Sequence, residues 1–182
     1  MTREEKEKIT EIVCYILNKT GGVDVYHLLK IVYFSELKHL RKWGRRITTD
    51  DICALDYGPV PSKLYDGINK KDKEFNEMLQ GVFSFASQEA RSIMLPKRQP
   101  DLDWLSKSEI DALDESIEEN AQSTFSQLMN KSHDEIWKKH FEHGKGMKKI
   151  PTEDLAVSAQ ADAAMTEYIR NNIALDKMLI CA

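Results

Sequence analysis

Cysteine is scarce in this 182-residue chain. The three cysteines, Cys14, Cys53 and Cys181, lie far apart, are odd in number and show neither a CxxC nor a zinc-ribbon spacing. This pattern argues against a disulfide framework and against a cysteine-based zinc module. We therefore expect reduced thiols and a cytoplasmic protein.

Long apolar runs are also missing. The longest strongly apolar run is Ile12–Leu17, whereas a membrane-spanning helix needs about 20 apolar residues. The opening residues Met1–Glu7 carry charges of both signs in place of the apolar segment of a secretion signal. We expect a protein that neither crosses a membrane nor is exported.

Sequence motifs that indicate catalysis are absent as well. The chain has no Ser/His/Asp or Cys/His order, no phosphate-binding glycine loop and no HExxH. His133, His140 and His143 could approach one another on a helix, but no cysteine or paired motif nearby completes a zinc site. We expect no enzymatic activity, no metal and no cofactor. Carboxylates assembled around Gly58 are the enzymatic alternative that stays open.

What the sequence does contain is a strong helical pattern. Apolar residues make up 41% and charged residues 31% of the chain, a balance typical of one globular domain. Thr2 and Glu5 have capping-box spacing before an amphipathic run, and Ser106 and Glu109 repeat that spacing before an acidic run. Asp24 is the predicted N-cap of a second, central helix.

Short strand patterns interrupt the helices. Residues 52–57 are predicted to form a strand that stops at the Gly58–Pro61 turn, because two prolines are expected to prevent further pairing. Ser62 is the predicted N-cap of the next helix, and residues 82–86 and 92–95 are predicted to form a hairpin. The predicted fold class is α+β, a predominantly helical single domain with a small antiparallel β-sheet.

Charge is unevenly distributed, although the formal net charge is only −4. Residues 30–46 contain six basic residues and one acid, and residues 101–119 contain eight acids and one lysine. These segments could steer a partner of defined charge, or they could be solvated helix faces, the commoner role of charge runs. The basic segment also leaves open an alternative function, that of a nucleic-acid-binding transcriptional or phage-associated regulator.

Several passages together resemble one known family. In chain order they are Leu28–Ser35, His39–Leu40, Gly44–Thr48, Tyr57–Asp66 and Ser132–Trp137. These passages are similar to the KLLYF, HL, G-R-x-I-T, Y-G-P-V-P-S-x-L-Y and S-H-x-x-x-W elements of the SocA-like antitoxins, which carry a Panacea domain. Leu29 and Arg46 depart from the Gln and Pro that are usual in the family, and neither lies in the Gly-Pro-Val-Pro turn.

The resemblance implies a non-catalytic antitoxin, often phage-associated, that neutralises a cognate toxin protein by direct binding. It also implies that some relatives are adaptors that deliver the toxin to a protease, such as an AAA+ machine of the ClpXP type. The toxins differ widely across the family, so the partner's own activity does not carry over. We assign residues 1–150 to the Panacea-like (SocA-like) domain and residues 151–182 to a C-terminal helical extension packed on the same domain.

The candidate partner-binding residues are those of the matched motifs. They are Tyr33, Phe34, His39, Trp43, Gly44, Arg45, Tyr57, Gly58, Pro59, Val60, Pro61, Leu64, Tyr65, His133 and Trp137. For the stiff turn at Gly58, and for Tyr33 and Tyr65, a structural role is the stronger expectation. Trp43 has better prospects as an interface residue. His133 and Trp137, four residues apart, are expected to share a helix face and pack together.

Overall fold

Helices dominate the computed structural model, which describes residues 1–87 and 92–180. The helices are α1 (Arg3–Thr20), α2 (Val25–Trp43), α3 (Ser62–Ile68), α4 (Lys73–Gln80), α5 (Lys107–Asn120), α6 (Phe125–Ser132), α7 (Glu135–His140), α8 (Thr152–Ser158) and α9 (Ala163–Ile180). The strands are β1 (Ile52–Ala54), β2 (Val60–Pro61), β3 (Phe83–Phe85), β4 (Met94–Pro96) and β5 (Lys148–Lys149). The predicted α+β class, mainly helical with small antiparallel sheets, is confirmed.

The predicted helix starts are present as side-chain caps. Thr2 and Glu5 form a reciprocal capping box at α1, and Ser106 and Glu109 form another at α5. The Asp24 carboxylate accepts the backbone N–H of the third residue of α2. Each cap satisfies a backbone donor that has no partner inside its helix. Local sequence therefore sets where these three helices begin.

Helix α2 lies at the centre of the protein. Leu28, Ile31 and Leu40 are buried along its length, and α1, α5, α6, α8 and β2 all pack against it. A helix covered on several sides needs apolar residues around most of its circumference. The polar residues that α2 does bury must therefore find partners within the fold.

The prediction that the Gly58–Pro61 turn ends strand pairing was wrong. Strand β1 pairs antiparallel with β2, so that Ile52 lies opposite Pro61. On its other side β1 pairs antiparallel with β5. Because β2 is an edge strand, a proline there removes no hydrogen bond from the interior of the sheet. The turn therefore joins two paired strands.

The start of α3 is capped from outside the helix. Ser62 is the first residue of α3 and the capping position is Pro61, which provides no side-chain bond, so the predicted Ser62 cap was wrong. The buried Asp50 carboxylate instead accepts hydrogen bonds from the backbone N–H groups of Lys63 and Leu64, each at 2.9 Å. A carboxylate is favourable at a helix N-terminus, where the peptide dipoles concentrate positive charge.

The second predicted strand pair is confirmed as the hairpin of β3 and β4. Its predicted connection falls partly on residues 88–91, which lie outside the described residues. Strand β4 also meets the segment before α2 through a bridge between Val23 and Met94. The hairpin is thereby fixed beside the start of α2.

Parts of the basic and acidic segments face each other where α2 packs on α5. Lys38 on α2 places its ammonium 2.5 Å from Glu119 and 3.8 Å from Glu115, both on α5. Lys42 lies 3.9 Å from Glu115, and Lys30 is buried. Lys38 and Lys42 thus link α2 to α5, while Arg41 and Arg45 stay exposed. The basic segment is therefore not one continuous exposed surface.

The chain after residue 150 contributes to the core. Leu155 and Ala156 of α8 and Ile169 of α9 are buried in a cluster that also contains Tyr33, Leu40 and Ile52. The boundary that we placed at residue 150 stays a prediction. Within residues 1–87 and 92–180, no helix has the length and apolarity needed to span a bilayer.

Candidate functional site

The turn between β1 and β2 has a backbone that requires glycine. Gly58 has a φ of 93°, in the left-handed region that side chains other than glycine rarely adopt. A Cβ atom built on Gly58 would lie 2.5 Å from the Lys30 Nζ atom and closer still to the Ser132 Oγ atom. Both the positive φ and the lack of room for a Cβ atom therefore require glycine at this position. The tight approach also shows that the turn is pressed against α2 and α6.

Lys30 supports this turn from within α2. Its side chain is fully buried, and its ammonium donates a hydrogen bond to the Pro59 carbonyl oxygen at 2.9 Å. The ammonium also lies 5.4 Å and 5.8 Å from the ring centres of Tyr26 and Tyr33. Burial removes water from the charged form and lowers the pKa of Lys30 to about 7. Our sequence-based list of site residues missed Lys30, because a lysine in a basic run is usually exposed.

The C-terminal motif reaches the same turn from the other side. Trp137 donates from its indole Nε1 to the Leu55 carbonyl oxygen at 2.9 Å. The imidazole of His133 stacks on the Trp137 ring with centres 3.6 Å apart, which confirms the predicted contact. The two residues do not share one helix as expected: His133 is the C-cap of α6, and Asp134 caps α7 after it. Burial, and next the charge of Lys30, lower the pKa of His133 and favour its neutral ring.

Three separated motifs therefore meet at one place. The helix motif supplies Lys30, the turn motif supplies Gly58 and Pro59, and the C-terminal motif supplies His133 and Trp137. Roughly a hundred residues of chain separate the first from the last, so no local rule of secondary structure brings them together. The shared result is a stiff turn held at both ends.

A pocket of about 450 Å³ opens beside this turn. It is lined by four aromatic rings and two carboxylates, together with aliphatic side chains. These six residues are Tyr26, Tyr57, Tyr65, Phe125, Asp24 and Asp56, and we call the site the aromatic pocket. Its size and mainly apolar lining with a few polar groups are typical of ligand sites.

The rings of the aromatic pocket hold one another in place. Phe125 packs against Tyr26 with centres 4.4 Å apart and meets Tyr57 edge-on at 5.5 Å. The Tyr26 hydroxyl donates to the Tyr57 carbonyl oxygen at 3.4 Å. Tyr57 itself is 62% exposed. Tyr26 and Phe125 were not among the predicted site residues, because they fall outside the matched turn.

A charged histidine fixes one wall of the aromatic pocket. His27 places Nδ1 2.8 Å from the Asp24 carboxylate and Nε2 2.7 Å from the Ser123 carbonyl oxygen. Both partners only accept hydrogen bonds, so this arrangement favours the His27 ring that is protonated on both nitrogens. The hydrogen bond to Asp24 raises the pKa of His27, more than burial lowers it. His27 thus ties the start of α2 to the segment just before Phe125.

The remaining carboxylate of the aromatic pocket faces solvent. Asp56 lies next to Tyr57, and its side chain is 63% exposed. One carboxylate oxygen is 3.4 Å from Nδ1 of His143, which is almost fully exposed. Water screens an ion pair of this kind, so it holds the Asp56 carboxylate only weakly. Asp56 therefore adds accessible negative charge to an otherwise apolar opening.

Most of the other predicted site residues are buried in the fold. Tyr33, Phe34, Val60, Pro61 and Leu64 are buried, and Tyr65 is half-buried at the aromatic pocket. The structural role expected for Tyr33 is confirmed, since it belongs to the second core cluster.

A second group of predicted residues lies at the C-terminal end of α2. Trp43 is 49% exposed, and Gly44 ends the helix with a φ of 67°. His39 is buried, with its ring nitrogens 2.7 Å from the Arg45 carbonyl oxygen and 3.1 Å from Ser108 Oγ. By the helical rise, roughly 25 Å separate this group from the start of α2. The predicted site residues therefore do not form one surface.

The Gly44–Thr48 motif is organised by a buried acid that we did not predict. The Glu36 carboxylate accepts hydrogen bonds from Ile47 N at 2.8 Å and from Thr48 N at 3.0 Å. It also accepts one from the Thr48 hydroxyl and lies 3.4 Å from Arg46 Nε. The signal available in the sequence was a glutamate on the apolar face of α2. Its partners, however, follow from tertiary structure alone.

Nothing in the described ranges, 1–87 and 92–180, groups three or more histidine, cysteine or acidic side chains in a way that could hold a metal ion. His133, His140 and His143, which we considered as a set, lie in different surroundings. His133 stacks on Trp137, His140 pairs with Asp154 at 2.6 Å, and His143 is exposed. The structure therefore separates these three imidazoles.

Comparison with known proteins gives one family. The model of the family described as antitoxin SocA-like, Panacea domain, matches residues 28–138, well over half of the chain. No curated protein and no solved structure matches. The matched range begins in α2 and ends in α7, so it contains the turn at Gly58. It also contains four of the six residues that define the aromatic pocket, all but Asp24 and Tyr26. The chain belongs to the SocA-like, Panacea-domain antitoxin family.

Proposed function

We propose that this protein is a cytoplasmic antitoxin that neutralises a cognate toxin by binding it directly, with no covalent chemistry. The observation that carries this proposal is what the family motifs do in the structure. They hold a turn stiffly against α2, α6 and α7, and that turn presents the exposed Tyr57 at the mouth of the aromatic pocket. A preformed surface with an exposed aromatic ring suits a protein interface, because little conformational entropy is lost on binding.

A second step belongs to the same proposal. The bound toxin would be passed to an AAA+ protease of the ClpXP type, as the family resemblance implies. The toxin's half-life in cells, measured with and without this chain and with and without the unfoldase, tests this step. A half-life that this chain does not shorten excludes delivery but leaves neutralisation by binding in place.

The nucleic-acid alternative gains no support from the fold. Lys30 is buried, Lys38 and Lys42 face acids of α5, and Arg46 lies beside the buried Glu36. Phosphate binding needs several free cations on one surface. Three of the six basic residues, Arg41, Lys42 and Arg45, stay exposed, so the fold leaves only part of the segment available to phosphate.

Co-expression with the neighbouring gene product tests neutralisation. We expect that gene to arrest growth alone, this chain to restore growth, and the two proteins to co-purify. Tyr57→Ala should weaken the complex at least about tenfold, as loss of an interface aromatic commonly does. Tyr168→Ala is the matched control, since Tyr168 is a similarly exposed tyrosine on α9. Persistent toxicity in the presence of the wild-type chain, or substrate turnover by the purified protein, would contradict the proposal.

A further inference from the structure

We propose that the aromatic pocket receives an arginine side chain presented by the partner protein. This inference rests on the proposed function, because it names the chemistry by which that partner is held. It is carried by the combination of four aromatic rings with an accessible carboxylate around one opening.

The rings provide the first part of the argument. Tyr26, Tyr57, Tyr65 and Phe125 surround the space, and their π faces carry partial negative charge that attracts a cation. A guanidinium fits such a surface better than an ammonium does. It is flat, weakly hydrated and able to stack on a ring while its edge donates hydrogen bonds. The volume of about 450 Å³ accommodates a long side chain and the backbone that carries it.

The carboxylates provide the second part. Asp24 is occupied by His27 and by the N-terminus of α2, so its charge is largely balanced within the protein. Asp56 is different, because its contact at 3.4 Å is with the exposed His143 and is open to water. An incoming guanidinium can therefore pair with Asp56 while it stacks on the neighbouring Tyr57. Charge complementarity of this kind favours a cation over an anion at the opening.

Lys30 does not prevent a second cation from entering. Its ammonium donates to the Pro59 carbonyl oxygen, and it is not among the side chains that line the aromatic pocket. With a pKa lowered to about 7, Lys30 carries only part of a positive charge near neutral pH. A guanidinium bound nearby should lower that pKa further, since like charges disfavour each other's charged forms.

Small neutral and cationic probes test the chemistry of the site directly. The full chain is titrated with N-acetyl-arginine methylamide and, separately, with the uncharged N-acetyl-norleucine methylamide, while backbone amide NMR signals are followed. We expect saturable shifts at Tyr26, Tyr57 and Phe125 with the arginine probe, with a Kd on the order of 1 mM. The norleucine probe should bind at least about tenfold more weakly. Equal binding of both probes would identify a merely apolar pocket and overturn the inference, as would the absence of binding by either.

Paired variants locate the interaction. Asp56→Asn and Tyr57→Ala should each weaken arginine-probe binding by roughly threefold or more, because each removes one of the two attractions. Asp111→Asn is the control, since Asp111 lies on α5 and pairs with Lys107. Unchanged probe affinity in both pocket variants would place the probe elsewhere and reject the assignment.

The two proposals can fail separately. If Asp56→Asn loses the arginine probe yet neutralises the toxin as well as the wild type, the pocket does not hold the toxin and only the present inference fails. If the wild type binds the probe but does not neutralise the neighbouring gene product, the proposed function fails while the chemistry of the pocket stands. If Asp56→Asn weakens both, and Asp111→Asn weakens neither, both proposals are supported.

Discussion

At the N-terminal end of α2 a buried lysine holds the turn, whereas six residues further on a buried glutamate holds the Gly44–Thr48 motif. Lys30 makes one hydrogen bond, to the Pro59 carbonyl oxygen. Glu36 accepts two backbone N–H groups and one hydroxyl and lies beside Arg46. The charge of Glu36 is thus well compensated, while that of Lys30 is sparsely compensated and its pKa falls to about 7. The same helix therefore buries one charge that has several partners, that of Glu36, and one that has few, that of Lys30.

The difference also appears at the surface. The Lys30 end opens into the aromatic pocket with Tyr57 exposed beside it. At the Glu36 end the backbone donors of Ile47 and Thr48 are satisfied inside the protein. The cavity beside that loop is lined mainly by polar and charged residues. Preformed pockets with strongly perturbed ionisable groups are more often functional than saturated networks are. This difference is why we propose partner recognition at the N-terminal end of α2.

Replacement of Glu36 should produce the largest effect. Glu36→Ala leaves the N–H groups of Ile47 and Thr48 and the side chain of Arg46 without their partner inside the protein, which should cost about 3–5 kcal/mol of unfolding free energy. Urea denaturation followed by circular dichroism measures this loss. Glu115→Ala, at a half-exposed acid on α5, is the control and should cost less than about 1 kcal/mol. Similar losses in the two variants would contradict the structural role of Glu36.

Lys30 should make stability depend on alkaline pH. Its pKa is lowered on folding, so the unfolded chain binds more protons between about pH 7 and pH 10.5, and the unfolding free energy rises with pH there. The contribution is on the order of 3 kcal/mol. Lys30→Met removes this rise, while Lys107→Met, at an exposed site on α5, controls for the loss of a positive charge. The measurement is the urea unfolding midpoint of each variant as a function of pH, from pH 6.5 to 10. A rise of equal size in wild type and Lys30→Met would show that another group causes it.

The tryptophan on α7 that contacts the turn and the tryptophan at the C-terminal end of α2 should also differ in their effect on stability. Trp137→Ala removes the stack with His133 and the bond to Leu55, so it should cost about 2–3 kcal/mol for this half-buried ring. Trp43 is 49% exposed at the other end, and Trp43→Ala should cost under about 1 kcal/mol. The melting temperatures of both variants, measured against the wild type, test this difference. Equal stability losses would remove the distinction between a structural and a surface tryptophan.

His27 should have the smallest effect, with the opposite pH dependence to Lys30. Folding raises its pKa, so its contribution is complete below the unfolded pKa of about 6.5 and is lost as pH rises through the folded value. NMR titration of the imidazole protons should show a His27 pKa above the ordinary value of about 6.5. In His27→Gln, the decline in stability from pH 5 to pH 8 should be smaller than in the wild type. A His27 pKa below its ordinary value would contradict the proposed double donor.

Features of short range were predictable from sequence. The capping boxes at Thr2 and Ser106, the Asp24 cap and the β3–β4 hairpin all depend on residues a few positions apart, and all are present. Two of the wrong local predictions concern the turn. Pro61 pairs because its strand lies at an edge, and α3 is capped by Asp50, twelve residues before Ser62, instead of by Ser62 itself. In both cases the outcome depended on a tertiary contact, which was the pairing with β1 for Pro61 and the Asp50 carboxylate for α3.

The candidate site was only partly predictable for the same reason. Tyr57, Gly58, His133 and Trp137 were named from motifs, and they do meet. The list also included Trp43 and Arg45, which lie at the far end of α2. It omitted Tyr26 and Phe125, which complete the aromatic pocket. Motif membership records which residues a family shares, and it does not say which of them face the same space.

By itself, the sequence determined the helix starts, the α+β class and membership in the SocA-like, Panacea-domain family, because caps, periodicity and motif order are all encoded along the chain. Only the tertiary structure decided that Lys30 is a buried support and not part of a basic surface, and that Asp56 stands accessible beside four aromatic rings. Burial and electrostatic pairing depend on distances between residues far apart in the chain. Those distances exist only once the helices have packed.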